Sequence, residues 1–165
     1  MKRFTICASL FVGGLAAAPA SAHGDSGFCT DLKAVLADVR NDFATLRGAQ
    51  LGDAERDSVN DVSTKYATSR MLTGATSCWV EDFMGPNDDK PLKSYNCDWV
   101  PPGTKIDTAE KVAQAAEDCV GNSSMDSMDV GDNDTADATI YGRSYKINIG
   151  AGTAPNVSLT IYDEN

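Results

Sequence analysis

The chain has 165 residues, with 24 acidic against 14 basic side chains, a formal charge of −10 and a single histidine. Such a surface repels phosphate backbones, so nucleic-acid binding is disfavoured, and a basic protein is the partner that net charge allows beyond its plain contribution to solubility. One histidine also leaves little room for Ser-His-Asp or Cys-His catalysis.

Lys2 and Arg3 precede an apolar run over residues 4–15 and a small-residue ending, Ala20-Ser21-Ala22. This is the three-part layout of a secretory signal peptide. The run falls short of the roughly 20 apolar residues of a membrane span, and no later segment reaches that length. The expectation is a bacterial protein, periplasmic or secreted, with residues 1–22 as leader, a single domain over 23–165 and no membrane insertion. Cys7 lies too early to carry a lipid anchor. Cleavage after Ala22 would expose His23, but a copper site built on the terminal amine wants a second histidine, so residues 23–28 are expected to be a loose lead-in.

From Thr30, Leu32, Val35, Leu36, Val39, Phe43 and Leu46 recur at three- and four-residue steps. The pattern predicts a helix over 30–47, capped by Thr30 and stopped at Gly48. Residues 49–70 are dense in Asp, Ser, Thr and Asn, while Val59, Val62 and Tyr66 keep a helical step. They are expected to form a short helix from Ala54, capped by Asp53, and then an irregular connection.

Residues 77–99 read as a β-hairpin with a cysteine in each arm. In the second arm Tyr95, Cys97 and Trp99 share one face. In the first, Cys78 and Val80 share a face and leave Trp79 and Glu81 on the other. Pro101-Pro102-Gly103 ends the second arm. Asp107 and Glu110 form a capping-box-like pair, and Ala109, Val112, Ala116, Cys119 and Val120 make the apolar side of a second helix that stops at Gly121. Residues 121–138 read as an anionic loop. Asp129, Asp132 and Asp134 suggest oxygen ligands for calcium, but the run lacks the central glycine and the closing glutamate of an EF-hand, so no metal is expected there. Alternation then predicts strands over 139–149 and 156–163.

The predicted fold is α+β: a four-stranded antiparallel sheet with two helices on one face, in the order αββαββ. Beyond the leader the four cysteines, Cys29, Cys78, Cys97 and Cys119, read as two disulfides of an oxidising compartment, since paired zinc-type spacing is absent. Cys78 with Cys97 and Cys29 with Cys119 is the favoured pairing. Cys29 with Cys78 and Cys97 with Cys119 remains open beside it.

No motif names a reaction and no cofactor is expected. The functional expectation is an exported, disulfide-stabilised protein-interaction module, such as an inhibitor, an immunity-type protein or an envelope-complex subunit. Its contacts would be Trp79 and Tyr162, placed opposite the helices, and the acidic loop with Asp129, Asp132 and Asp134. The alternative is a small-ligand-binding protein or carboxylate-based hydrolase, which a deep pocket of converging carboxylates would favour.

Overall fold

The computed structural model describes residues 26–56, 61–121, 124–125, 129–131 and 135–164. The leader and His23 lie outside them. Helix α1 (Ser26–Asp38) buries Phe28, Leu32 and Val35 and runs into a single 3-10 turn, Val39–Asn41. The predicted helix to residue 47 is thus cut short. Asp38, itself buried, accepts hydrogen bonds from Asn41 Nδ2 at 3.1 Å and the Thr45 amide at 3.0 Å, which holds a reversal of the chain. Asp42 and Phe43 adopt left-handed φ values of 54° and 57° there. Phe43 and Leu46 are buried all the same, so the apolar spacing marks the core but not the helix. Thr30 lies inside α1 rather than at its cap.

Residues 49–70 hold no helix among those described. β1 (Arg47–Gln50) and β2 (Val62–Thr68) pair antiparallel, and β2 pairs β3 (Ser77–Met84). The β-branched and aromatic content of Val-Ser-Thr-Lys-Tyr-Ala-Thr suits a strand, and pairing on both sides outweighs the chance helical spacing of Val62 and Tyr66. β4 (Leu92–Trp99) completes the expected hairpin with β3.

Helix α2 (Lys105–Val120) is capped by Thr104, whose hydroxyl accepts from the Asp107 amide at 3.1 Å, so Asp107 sits in the first turn rather than at the cap. Gly121 ends α2 with φ 69°. The helix buries Ala109, Val112, Ala113, Ala116 and Cys119. Its alanines let the backbone lie close to the sheet.

The expected loop over 121–138 instead contributes strand. β5 (Ser124–Met125) and β6 (Asp129–Gly131) both pair β7 (Thr135–Tyr141). The predicted strand over 139–149 is likewise two strands, β7 and β8 (Lys146–Ala151), folded back on each other at Gly142. The Tyr145 ring lies over that residue so closely that a Cβ on it would stand 2.2 Å from the ring. Only glycine fits, and the Gly142 amide closes the turn on the Tyr145 carbonyl at 2.9 Å.

With β9 (Val157–Tyr162) the strand order is β1-β2-β3-β4-β9-β8-β7, all antiparallel, with β5 and β6 short additions to the outer edge of β7. Fold class and antiparallel pairing are as expected. The four-stranded count is wrong, because the residues of β1, β2 and β7 carry patterns that suit helix, connection or the continuation of another strand.

One sheet face is an unbroken apolar grid. Val80, Tyr95, Ile161, Ile147 and Ile140 form one cross-strand row, and Cys78, Cys97, Leu159, Ile149 and Ala138 the next. Both helices cover this face and share its core. Phe28 of α1 meets Trp99 with ring centroids 6.5 Å apart, and α2 lies over β7, β8 and β9. Two disulfides are formed, Cys29 to Cys119 between the helices, with Cα atoms 5.3 Å apart, and Cys78 to Cys97 directly across the hairpin, at 4.1 Å. The favoured pairing is the one observed.

Candidate binding face

Because strand side chains alternate, the register that builds the core also fixes what stands on the opposite face. Two cross-strand rows cross it from β2 to β7. One reads Lys65, Glu81, Ser94, Tyr162, Lys146, Tyr141. The other reads Ala67, Trp79, Asn96, Thr160, Asn148, Thr139. Both aromatic residues expected on this face, Trp79 and Tyr162, stand on it. Ala67 of β2 is Trp79's cross-strand neighbour.

A hydrogen-bond network joins these rows. Glu81 is its hub on the β3 side. It accepts from the Ser63 hydroxyl, from the Trp79 indole nitrogen at 3.1 Å and from Asn96 Nδ2 at 3.4 Å. Asn96 also donates to Ser94 Oγ at 2.9 Å and accepts from Thr160 Oγ1 at 2.9 Å. Ser94 and Asn96 are buried although they lie on the face away from the helices. Their side chains are hydrogen-bonded to each other and to Glu81 and Thr160 within the sheet. Trp79 is thereby held in one orientation, with Lys65 Nζ 5.7 Å from its ring centre.

The β7–β8–β9 side has a cluster of its own. Lys146 stands between Tyr141 and Tyr162, its Nζ 5.3 Å and 5.8 Å from the two ring centres. Asn148 Nδ2 donates to the Tyr162 hydroxyl oxygen at 3.2 Å, and Thr139 Oγ1 donates to Asn148 Oδ1 at 3.2 Å. The neighbouring Tyr162 raises the Lys146 pKa above the ordinary lysine value. Lys146, Glu81, Tyr141 and Asn148 are site residues that sequence reasoning misses. Their alternation with core residues is the available signal, but which strands neighbour which decides that they cluster.

The acidic-loop candidates fare differently. Asp129 lies in β6 opposite Asp137. Asp132 and Asp134 lie outside the described residues, and the calcium expectation lies there with them. Among the described residues, no three Asp, Glu, Cys or His side chains gather as a metal site.

A groove of about 710 Å³ opens beside the β3–β4 turn, with Asp42, Asp88, Asp89, Asp163, Lys90 and Lys93 in its wall. Two of its four acids are engaged. Asp42 pairs with Lys93 at 3.0 Å, and Asp88 accepts from the Gly85 amide at 2.9 Å. Two free carboxylates facing each other across a substrate-sized gap, as glycoside hydrolysis requires, are not formed by this pair. Comparison with protein-family models, with curated proteins and with solved structures finds no match.

Proposed function

We propose that the protein is an exported, disulfide-stabilised interaction module that docks a partner protein on the open face of its sheet. The observation that carries this reading is the placement of Trp79 and Tyr162. Both stand on the face that no described helix covers, and polar neighbours hold each in a set orientation. Aromatic side chains ordered before contact give up little conformational entropy on binding, which is how interface anchors act. Two disulfides, one between the helices and one within the central hairpin, fit an oxidising compartment, and among the described residues no helix is long and apolar enough to cross a membrane. The groove at the β3–β4 turn lends the hydrolase alternative little support, because two of its four acids, Asp42 and Asp88, are bound to neighbouring groups.

Site-specific photocrosslinking in the envelope fraction tests this reading. Crosslinkers at Lys65 and Thr160 report from the open face, and crosslinkers at Lys33 and Glu110, both exposed on the helices, report from the opposite side. Adducts from the open face that Trp79→Ala suppresses are expected. Adducts confined to the helix positions would overturn the proposal.

A further inference from the structure

Taking the open face as the contact surface, we infer that the partner docked there is a second copy of this chain, packed face to face about a two-fold axis that follows the seam between β4 and β9. Six strands make the face, in the order β2-β3-β4-β9-β8-β7, so the seam divides it into two halves of three strands. A two-fold axis parallel to the strands carries one half over the other and keeps each cross-strand row in line with itself, as an isologous contact requires. β3 then lies against β8 of the second copy, and β4 against its β9.

The central rows match themselves under that operation. Glu81 on β3 and Lys146 on β8 are each one strand beyond the seam, in the same row, so Glu81 of each copy meets Lys146 of the other and one charge pair forms twice. Each lies about 7 Å from the axis, where the angle between packed sheets displaces side chains least. Ser94 meets Tyr162 of the second copy at the centre, and in the next row Trp79 meets its Asn148. The two charges are not neutralised within the chain. The three groups that donate to Glu81 are all neutral, and of the four ion pairs among the described residues none includes Glu81 or Lys146. Lys65, opposite Glu81, gives its ammonium to Glu55 at 3.1 Å, and Glu164 adds to the field at Lys146 from outside ion-pair distance.

This mixture of signs is what selects the occupant. Lys65, Glu81 and Lys146 are the charged residues of the two central rows, so a uniformly acidic or uniformly basic partner meets a like charge there. A second copy brings the same signs in the reversed order that pairs them. The whole chain carries −10, which repels two copies that approach by other surfaces. The same face also holds apolar surface in need of cover: Phe83 and Leu92, directly opposed one row nearer the β3–β4 turn, are 38% and 49% exposed. Six strands spaced about 4.8 Å apart and about 20 Å long give roughly 600 Å² before side-chain relief is counted, the order of the roughly 800 Å² per partner of a stable interface.

Sedimentation equilibrium of the purified, oxidised chain tests the inference, and a concentration-dependent monomer–dimer equilibrium is expected. Glu81→Lys and Lys146→Glu should each weaken the dimer about a hundredfold, because like charges then face each other twice. An equimolar mixture of the two variants should dimerise again, since every charge in the mixed pair meets its opposite. Should Glu81→Lys fail to fold, Lys146→Glu combined with Glu81→Gln, which removes the repulsion and keeps the acceptor, should recover part of the association lost in Lys146→Glu alone. Lys33→Glu on α1 should change nothing. A dimer that Lys146→Glu leaves intact would overturn the inference, as would a mixture of folded variants that stays monomeric. If the chain is monomeric at every concentration while Trp79→Ala still suppresses open-face crosslinks to another protein, the second copy falls and the docking face stands. If crosslinks form only on the helix side, both fall.

Discussion

The Tyr95 hydroxyl donates to the Arg70 carbonyl at 2.8 Å from a fully buried ring. The Arg70 guanidinium in turn pairs with Asp31 of α1 at 2.9 Å, and the Thr73 hydroxyl donates to the same carboxylate at 2.8 Å. One phenol thus sits where β4, the chain leaving β2 and α1 converge. Tyr95→Phe is expected to cost about 1–3 kcal/mol in denaturant unfolding, because the Arg70 carbonyl loses its donor. Burial, helped by the charge of Asp31, pushes the Tyr95 pKa far above 10.0. The unfolded chain ionises this tyrosine near pH 10 and the folded chain does not. Its contribution is therefore whole below pH 10 and lost as pH rises beyond it, and the phenylalanine variant should show a shallower alkaline loss of stability.

The two disulfides should differ in weight. Cys29 and Cys119 are 90 residues apart and Cys78 and Cys97 are 19 apart. In the chain-entropy model the first restrains the unfolded chain by about 4–5 kcal/mol and the second by about 3 kcal/mol. Replacing each pair by alanine and comparing thermal unfolding should place the interhelical pair as the costlier loss. The opposite ranking would show that hairpin packing dominates.

At the sheet edge, Arg47 of β1 reaches over β2 to bind Asp82 of β3, with its guanidinium carbon 4.0 Å from the Tyr66 ring centre. This contact pins a short strand that otherwise ends the sheet. Arg47→Ala should cost about 1 kcal/mol, since both charges are partly exposed. Its clearer sign should be faster hydrogen exchange at the Leu51 and Ser69 amides, which bond to Lys65 and Leu46 across the β1–β2 pair. Unchanged exchange there would mean that backbone pairing alone holds the edge.

Glu81 gathers three donors, so Glu81→Leu should leave the Ser63 hydroxyl, the Trp79 indole and one Asn96 proton without their partner. A loss of about 1–3 kcal/mol is expected, together with line broadening of the Trp79 indole N–H as its ring becomes free to turn. Glu81→Gln, which keeps an acceptor oxygen, should recover part of both.

Alternation alone makes the Cys78–Cys97 juxtaposition, the outward placement of Trp79 and the facing of Tyr162 legible in the sequence. Each depends only on a side-chain period of two and on a symmetric turn. β2 is not legible, because it is an edge-side strand half-buried on both faces and shows no clean apolar stripe. The break at Gly142 is marked only by a change of phase, since the buried positions are even through Ala138 and Ile140 and odd from Ile147 and Ile149, and the regular alternation from Ser144 onward does not by itself reveal it. The Lys146 cluster requires strand order: Tyr141 and Tyr162 are distant in sequence and meet only because β8 lies between β7 and β9.

Both disulfides, the helices and the apolar grid lie on one side of the sheet, while Trp79, Tyr141, Lys146 and Tyr162 stand on the other. If the open face docks a partner as proposed, partner choice and foldability are written in alternate letters of the same strands, and substitutions at the outward letters would retune recognition while the inward letters go on specifying the same architecture.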